Sequence, residues 1–293
     1  MRGHVGGIED ERVGIALVLL SAIGFGTLGI FGVYAQRAEL PIPTVLTVRF
    51  LLAAALVWGV LAIQNRLTVL RGRVLLIGFG LGAVGYATQS GLYFLGLEFM
   101  TAGLVAIVFY TYPAFVVVLA VATMKERVGR STLLALFLSL GGVALVAGAD
   151  PAGASLIGVG IVLGAALAYA FYITISRAML VRTDPIILSA HVLPAAGLSF
   201  VGIGGATGEL LVPTAPTAWL ILLCIAVFAT AIPVITFFAG LKRIGASRAG
   251  IVSTAEPPVT VALGAALFAE PVTAATVIGG VSILLGVVVL ERE

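Results

Sequence analysis

The sequence predicts an all-α membrane protein whose ten transmembrane helices form two inverted five-helix repeats. Three observations support this prediction. The chain is 61% hydrophobic and 10% charged, with a mean hydropathy of +1.21, whereas soluble domains contain about 25% charged residues. Apolar segments of about 20 residues, long enough to cross a bilayer core, follow one another along the chain. The sequence also aligns with itself at an offset of 144 residues.

The predicted spans are separated by short polar turns, because only hydrogen-bonded helices satisfy their own peptide groups in lipid. They run approximately over residues 13–33, 44–63, 74–95, 101–123, 131–148, 155–177, 185–206, 216–239, 246–268 and 272–290. The predicted domains are an N-terminal tail at 1–12, a first repeat at 13–148, a linker at 149–154 and a second repeat at 155–290.

Lysine and arginine are concentrated in alternate loops. One set contains Arg2, Arg12, Arg66, Arg71, Arg73, Lys125, Arg127, Arg130, Arg177, Arg182, Lys242, Arg243, Arg248 and Arg292, and the other contains Arg37. Because these residues favour short cytoplasmic loops, we predict a multi-pass protein of the prokaryotic plasma membrane with both termini cytoplasmic. The basic loops are expected to face anionic membrane lipid, and a nucleic-acid partner is not predicted.

The internal repeat indicates function as well as fold. At the offset of 144 residues, Pro113 aligns with Pro257 and Glu126 aligns with Glu270. Each half contains five predicted spans, so the second half must enter the membrane from the opposite side. Inverted repeats are common in secondary transporters, which bind their substrate near the bilayer midplane between the halves.

Four sequence segments resemble a known family. They are RFLLAAALVWGVL at 49–61, YPAFVVVLAVATMKERV at 112–128, GGVALVAG at 141–148 and EPPVTVALGAALFAEPV at 256–272. The chain is similar to the drug/metabolite transporter superfamily, in particular its ten-helix EamA-type members. The resemblance implies transport of amino acids, other small metabolites or toxic compounds, mostly outward in bacteria.

Glu256 is a carboxylate within an apolar span and is followed by Pro257 and Pro258. It lies about ten residues into the ninth span, which is about 15 Å deep, where a charged group should face water, pair with a cation or be protonated. The prolines remove backbone donors and should kink the helix, so we predict hinges at Pro113, Pro257 and Pro258. Glu256 is either a binding and proton-coupling residue or a structural carboxylate.

Aromatic and amide side chains recur at helical spacing near the same depth, which predicts a binding cavity for a moderately polar organic solute. The candidates besides Glu256 are Tyr86, Gln89, Tyr93, Tyr110, Tyr112, Tyr169 and Tyr172. Tyr112 aligns with Glu256 at the repeat offset. Each tyrosine taken alone is equally interpretable as a packing residue.

Two further polar residues fall inside predicted spans. Arg49 must extend outward to the membrane surface, pair with a carboxylate or contact an anionic substrate group. His191 titrates near neutral pH when unperturbed, so it is either a proton-coupling residue or a hydrogen-bonding link between helices. Glu126 and Glu270, at the membrane edges, are interpreted as structural residues that form ion pairs or cap neighbouring helices.

The predicted function is that of a secondary transporter. Two other classes of membrane protein, enzymes and channels, are the alternatives to it. An intramembrane enzyme is not favoured, because the sequence has no HExxH, GxSxG or Ser-His-Asp pattern, and a channel would need polar residues along a whole pore. With two histidines and one cysteine, Cys224, we predict no metal, no cofactor and no intramolecular disulfide. A small-molecule substrate is the expected partner, and a homodimer remains an open alternative.

Overall fold

The computed structural model describes residues 3–112, 114–116, 118–119, 130–148, 155–180, 183–244, 249 and 252–291. Over these residues the chain forms ten successive helical segments, named α1 to α10. Their bounds are Gly3–Gly26 and Leu28–Arg37 for α1, Ile42–Ile63 for α2, Gly72–Gly96 for α3, Ala102–Phe109 with its continuation from Tyr112 for α4, Arg130–Gly148 for α5, Leu156–Leu180 for α6, Pro185–Thr207 for α7, Pro216–Ile244 for α8, Glu256–Phe268 for α9 and Ala274–Glu291 for α10.

These segments confirm the predicted ten-helix membrane fold. Six stretches of the described chain are long and apolar enough to cross a membrane unaided: Asp10–Arg37, Ile42–Ile63, Gly72–Gly96, Leu156–Ser176, Pro185–Thr207 and Pro216–Leu241. The regular part of α9 is shorter because a turn at Thr254 and Ala255 precedes it. The predicted linker 149–154, the hinge residue Pro113 and the structural residue Glu126 lie outside the described residues.

The N-terminal segment differs from its predicted form. Helix α1 begins at Gly3 rather than near residue 13, so most of the predicted polar tail is helical. The segment IEDER consists largely of good helix formers, which extends the apolar helix by more than two turns. Asp10 in this extension forms an ion pair with Arg243 of α8, with 3.1 Å between Oδ1 and Nε.

The packing of the helices follows the inverted repeat. Helix α2 packs on α7, α4 on α9 and α5 on α10, and the pairs α1–α8 and α3–α6 correspond to each other across the two halves. Small residues allow close approach, as expected inside a membrane. A Cβ on Gly142 of α5, for example, would meet the carbonyl oxygen of Gly279 on α10. Each half is therefore stabilised largely by contacts with the other.

Helices α3 and α8 each contain a π-helical turn, at Leu81–Tyr86 and at Val227–Ala231. Subtracting the repeat offset places the second turn at residues 83–87, so the two turns occupy overlapping positions in the two halves. Such turns insert an extra residue into an α-helix and often occur at functional sites. They change which side chains of α3 and α8 face the centre of the bundle.

Candidate functional site

Helices α4 and α9 are interrupted at corresponding positions. The chain leaves regular helix at Tyr110 and Thr111 in α4 and at Thr254 and Ala255 in α9, pairs of residues that are 144 positions apart. The backbone N–H of Thr111 donates to Val108 O, and that of Ala255 donates to Val252 O, both at 3.2 Å. Both helices thus contain irregular backbone close to the positions of the predicted hinges.

The break in α9 lies just before the prolines. Helix α9 restarts at Glu256, with proline in its first turn, and the turn at Thr254 and Ala255 precedes Pro257. Proline is well tolerated at a helix start, where its missing N–H has no partner to lose. Glu256 consequently occupies the first residue of a helical segment in the interior of the bundle.

Glu256 contacts a tyrosine from the other broken helix. The Tyr110 hydroxyl donates to Ser253 O at 2.6 Å and also lies 3.1 Å from Oε2 of Glu256. A phenolic hydroxyl carries one proton, so an ionised Glu256 shares that proton with Ser253 O. A protonated Glu256 can instead donate to the Tyr110 oxygen and complete both hydrogen bonds.

The six predicted tyrosines lie together and form one network of ring contacts, here called the tyrosine cluster: Tyr86, Tyr93, Tyr110, Tyr112, Tyr169 and Tyr172. Ring centroids are 5.2 Å apart for Tyr86–Tyr172, 5.7 Å for Tyr169–Tyr172, 4.8 Å for Tyr112–Tyr169 and 5.6 Å for Tyr110–Tyr112. Phe109 joins Tyr93 to the others. The cluster thus brings side chains of α3, α4 and α6 next to Glu256 of α9.

The amide of Gln89 does not reach this network. Gln89 is buried, and its Oε1 accepts a hydrogen bond from the neighbouring Ser90 hydroxyl at 3.0 Å. Phe50 of α2, which the sequence analysis did not select, contacts Tyr86 with a centroid distance of 5.4 Å. Phenylalanine carries no polar signal in an apolar helix, so the sequence offered no reason to separate Phe50 from ordinary packing residues.

Arg49 of α2 is buried and points into the bundle. Its Nε donates to the Thr230 hydroxyl of α8 at 3.0 Å, and its guanidinium carbon lies 4.7 Å from the centre of the Phe50 ring. Among the described residues, no carboxylate lies within 4 Å of it. In the part of the chain that the structure describes, Arg49 therefore neither extends to the membrane surface nor pairs with a carboxylate.

His191 of α7 lies apart from the tyrosine cluster. Its Nε2 accepts from the backbone N–H of Leu70 at 3.1 Å, so Nδ1 carries the proton that is donated to Ile187 O at 2.8 Å. The ring also packs edge-on against Trp58, with centroids 5.2 Å apart. These contacts match the structural alternative for His191, a link between helix α7 and the loop before α3.

Glu270 caps a helix, as predicted. Its two carboxylate oxygens accept the N–H groups of Ala102 and Gly103 at the start of α4, at 2.9 and 3.1 Å. Negative charge is favourable at a helix N-terminus, which presents unpaired N–H groups. The contact joins the end of α9 to the beginning of α4 and thereby links the two halves.

A groove of about 460 Å³ lies between α3 and α6 on the membrane-facing side of the bundle. It is lined by Ile77, Gly80, Leu81, Val84, Gly85, Thr88, Ala168, Phe171, Tyr172 and Ile175. Neither Arg49 nor Glu256 lines it, although Tyr172 of the tyrosine cluster does. Its lining is almost entirely apolar and Val84 is 68% exposed, so we expect lipid acyl chains to fill it.

Known proteins resemble the chain over nearly its whole length. The sequence model of the EamA-like transporter family matches residues 12–148 and again 156–292, two matches that begin 144 residues apart. An uncharacterized transporter of Archaeoglobus fulgidus is 30% identical, covering 96% of this chain and 97% of that protein. A second one from this organism is 24% identical over 94% and 98% of the two chains.

Two further comparisons agree with these. The uncharacterized transporter YcbK of Bacillus subtilis is 28% identical over 93% of this chain and 90% of its own. A protein of known crystal structure superposes with a TM-score of 0.67 at 18% identity, covering 95% of this chain and 97% of that one. The structural likeness extends to the complete bundle of both halves.

Proposed function

Because the chain belongs to the EamA-like transporter family, we propose that it is a secondary transporter that exports a small organic solute, an amino acid or a related metabolite. The solute would bind at the tyrosine cluster, and the two halves would open the site to each side of the membrane in turn. The protein would reside in the prokaryotic plasma membrane with both termini cytoplasmic, as the distribution of lysine and arginine favours.

The observation that carries this proposal is the meeting of the two broken helices at Glu256 and Tyr110. Secondary transporters with inverted repeats bind substrates where interrupted helices face each other near the midplane. Here the interruptions lie at corresponding residues of the two halves, and the tyrosine cluster surrounds them. Rings with hydroxyl groups suit a solute that has both an apolar body and polar groups.

Proton exchange would drive the transport through Glu256. In its protonated form the carboxyl group donates a full hydrogen bond to the Tyr110 oxygen. In its ionised form it competes with Ser253 O for the single proton of the Tyr110 hydroxyl. Binding and release of a proton therefore changes the contact between α4 and α9. Turns at Thr254 and Ala255 next to Pro257 would provide the flexible point for this movement.

Counterflow in liposomes tests the proposal. Liposomes that contain the purified protein and an unlabelled amino acid should transiently accumulate the same radiolabelled amino acid, at a rate that saturates. Non-saturating flux would indicate a channel. Uptake of the organic cation tetraphenylphosphonium without uptake of any amino acid would indicate a multidrug efflux carrier, and absence of every flux would refute a transport function.

A further inference from the structure

Arg49 is a buried cation that has no counter-charge within 4 Å among the residues that the structure describes. The residue is 2% exposed, and its single hydrogen bond to the described chain is donated by Nε to Thr230. Neither Nη group therefore donates a hydrogen bond to a described residue. Burial of an unpaired charge is costly, and a bound anion would remove that cost.

The π-helical turn of α8 fixes how Arg49 is held. Several hydroxyls in the helices donate to the carbonyl four residues back, as Thr174 does to Ala170 O. Thr230 instead donates to the carbonyl of Ile225, five residues back, at 2.9 Å. That bond uses the only hydroxyl proton, so Thr230 Oγ1 can only accept from Arg49. The guanidinium is thereby anchored at Nε and keeps both Nη groups free.

The repeat shows that the scaffold does not require a cation here. The residue that corresponds to Arg49 in the second half is Leu193 of α7, which is fully buried, and the residue that corresponds to Thr230 is Tyr86. The same inverted packing of α2 and α7 is thus achieved with leucine on one side and arginine on the other. A residue that only packs α2 against its neighbours would not need a positive charge at this position, whereas a binding site for an anion would.

We propose that the free edge of the Arg49 guanidinium binds the carboxylate of the transported solute, with Thr230 as its positioning residue. This inference rests on the proposed transport function and adds the substrate class, a small organic carboxylate with an apolar or aromatic body. A guanidinium binds a carboxylate through two parallel N–H···O bonds. Phe50, whose ring contacts the Arg49 guanidinium, also contacts Tyr86 with a centroid distance of 5.4 Å, so the site borders the tyrosine cluster.

Matched aromatic probes test the proposal on the purified full-length protein. Benzoate, benzamide and benzylamine share one ring and differ in charge, and thermal stabilisation reports their binding. Benzoate should bind about tenfold more tightly than benzamide, as expected for hydrogen bonds to a charged group. Equal binding of benzoate and benzamide, tightest binding of benzylamine or no binding of benzoate would overturn the proposal.

Three variants separate anion binding from folding. Arg49→Met should abolish the preference for benzoate over benzamide and leave the unliganded melting temperature unchanged or higher, because it removes an unpaired buried charge. Thr230→Val should reduce the preference severalfold, and Thr230→Ser should restore it by retaining the hydroxyl. A preference that survives Arg49→Met, or one that Thr230→Val leaves intact, would contradict the proposed roles.

The outcome is distinguishable from failure of the transport proposal. Saturable counterflow of an amino acid without any benzoate preference would refute the carboxylate site alone. A benzoate preference that depends on Arg49, in a protein that shows no flux of any tested solute, would refute the transport function alone.

Discussion

At the scale of single residues, the hydroxyl of Tyr110 determines what Glu256 can do. One proton cannot fully satisfy both Ser253 O and an ionised carboxylate, and the shorter distance, 2.6 Å, is to Ser253 O. The protonated carboxyl group completes the arrangement by donating to Tyr110. Glu256 therefore makes a different hydrogen bond to Tyr110 in each of its two protonation states, which is the property that a proton-coupled carrier requires.

Substitution Glu256→Gln should remove the pH dependence of counterflow. The amide cannot bind or release a proton, but its N–H can donate to Tyr110 as the protonated acid does. We expect counterflow at a single rate from acidic to alkaline pH, whereas the wild-type rate varies with pH. The measurement is the initial rate of exchange in liposomes across that range.

The exposed residue Glu98, at the turn after α3, provides the matched control, because Glu98→Gln removes a carboxylate outside the tyrosine cluster. This control should keep the wild-type pH profile. An unaltered rate and pH profile in Glu256→Gln would show that Glu256 carries no proton in transport.

Glu270 gives a prediction about stability. Glu270→Ala leaves the N–H groups of Ala102 and Gly103 without acceptors, and loss of a helix cap costs about 1 kcal/mol. We expect a lower melting temperature in detergent, with Glu98→Ala unchanged. Gly264→Ala should have a similar effect, because its Cβ would displace the Glu270 carboxylate. Unchanged melting in both Glu270→Ala and Gly264→Ala would contradict the capping role.

At the scale of elements, two loops at corresponding positions of the two halves are held to the bundle by hydrogen bonds to different side chains. Leu70 in the loop 64–71 donates its backbone N–H to His191 of α7, and Leu211 in the loop 208–215 donates to the Thr44 hydroxyl of α2 at 2.9 Å. The first loop is thus held by an imidazole nitrogen and the second by a hydroxyl, and each acceptor can be removed without touching the other.

The loop 64–71 should loosen when His191 is replaced by Phe, which keeps a ring against Trp58 but cannot accept the N–H of Leu70. In a Cys224→Ser background, the modification rate of a cysteine introduced at Leu67 is compared with that of one at the corresponding Leu211. The ratio of the two rates should rise in His191→Phe. Forming a ratio separates this local change from a general loosening of the protein.

The charged groups near this contact are the ion pair of Arg66 with Asp184, at 2.7 Å, and the exposed Arg71, and the substitution changes none of them. A ratio that is the same in the wild type and in His191→Phe would show that His191 does not hold the loop.

The sequence predicted the helices better than their irregularities. Apolar length located the spans, and the prolines indicated irregular backbone in α4 and α9 without its exact residues. The π-helical turns were missed because no residue type marks them, so the contact of Thr230 with Arg49 was missed as well. The direction of Arg49 could not be predicted, since outward and inward orientations are equally compatible with its depth.

At the scale of the whole molecule, the two halves share one helical arrangement, and the residues proposed to bind the solute and the proton differ between them. Arg49 carries a guanidinium and Glu256 a carboxyl group, whereas their corresponding residues in the opposite halves, Leu193 and Tyr112, carry neither. The fold alone predicts a site between the halves without predicting its charge. The groups proposed to recognise the solute are those that break the symmetry.

Two-sided accessibility of the tyrosine cluster tests most directly whether one site is shared by both faces of the membrane. Cys224 is the only cysteine, so Tyr112→Cys or Tyr169→Cys in a Cys224→Ser background places a single thiol in the cluster. A membrane-impermeant thiosulfonate should modify this thiol in right-side-out and in inside-out vesicles, and a transported solute should slow both reactions. Modification from one face only, or by membrane-permeant reagents alone, would contradict a site that opens to the two sides in turn.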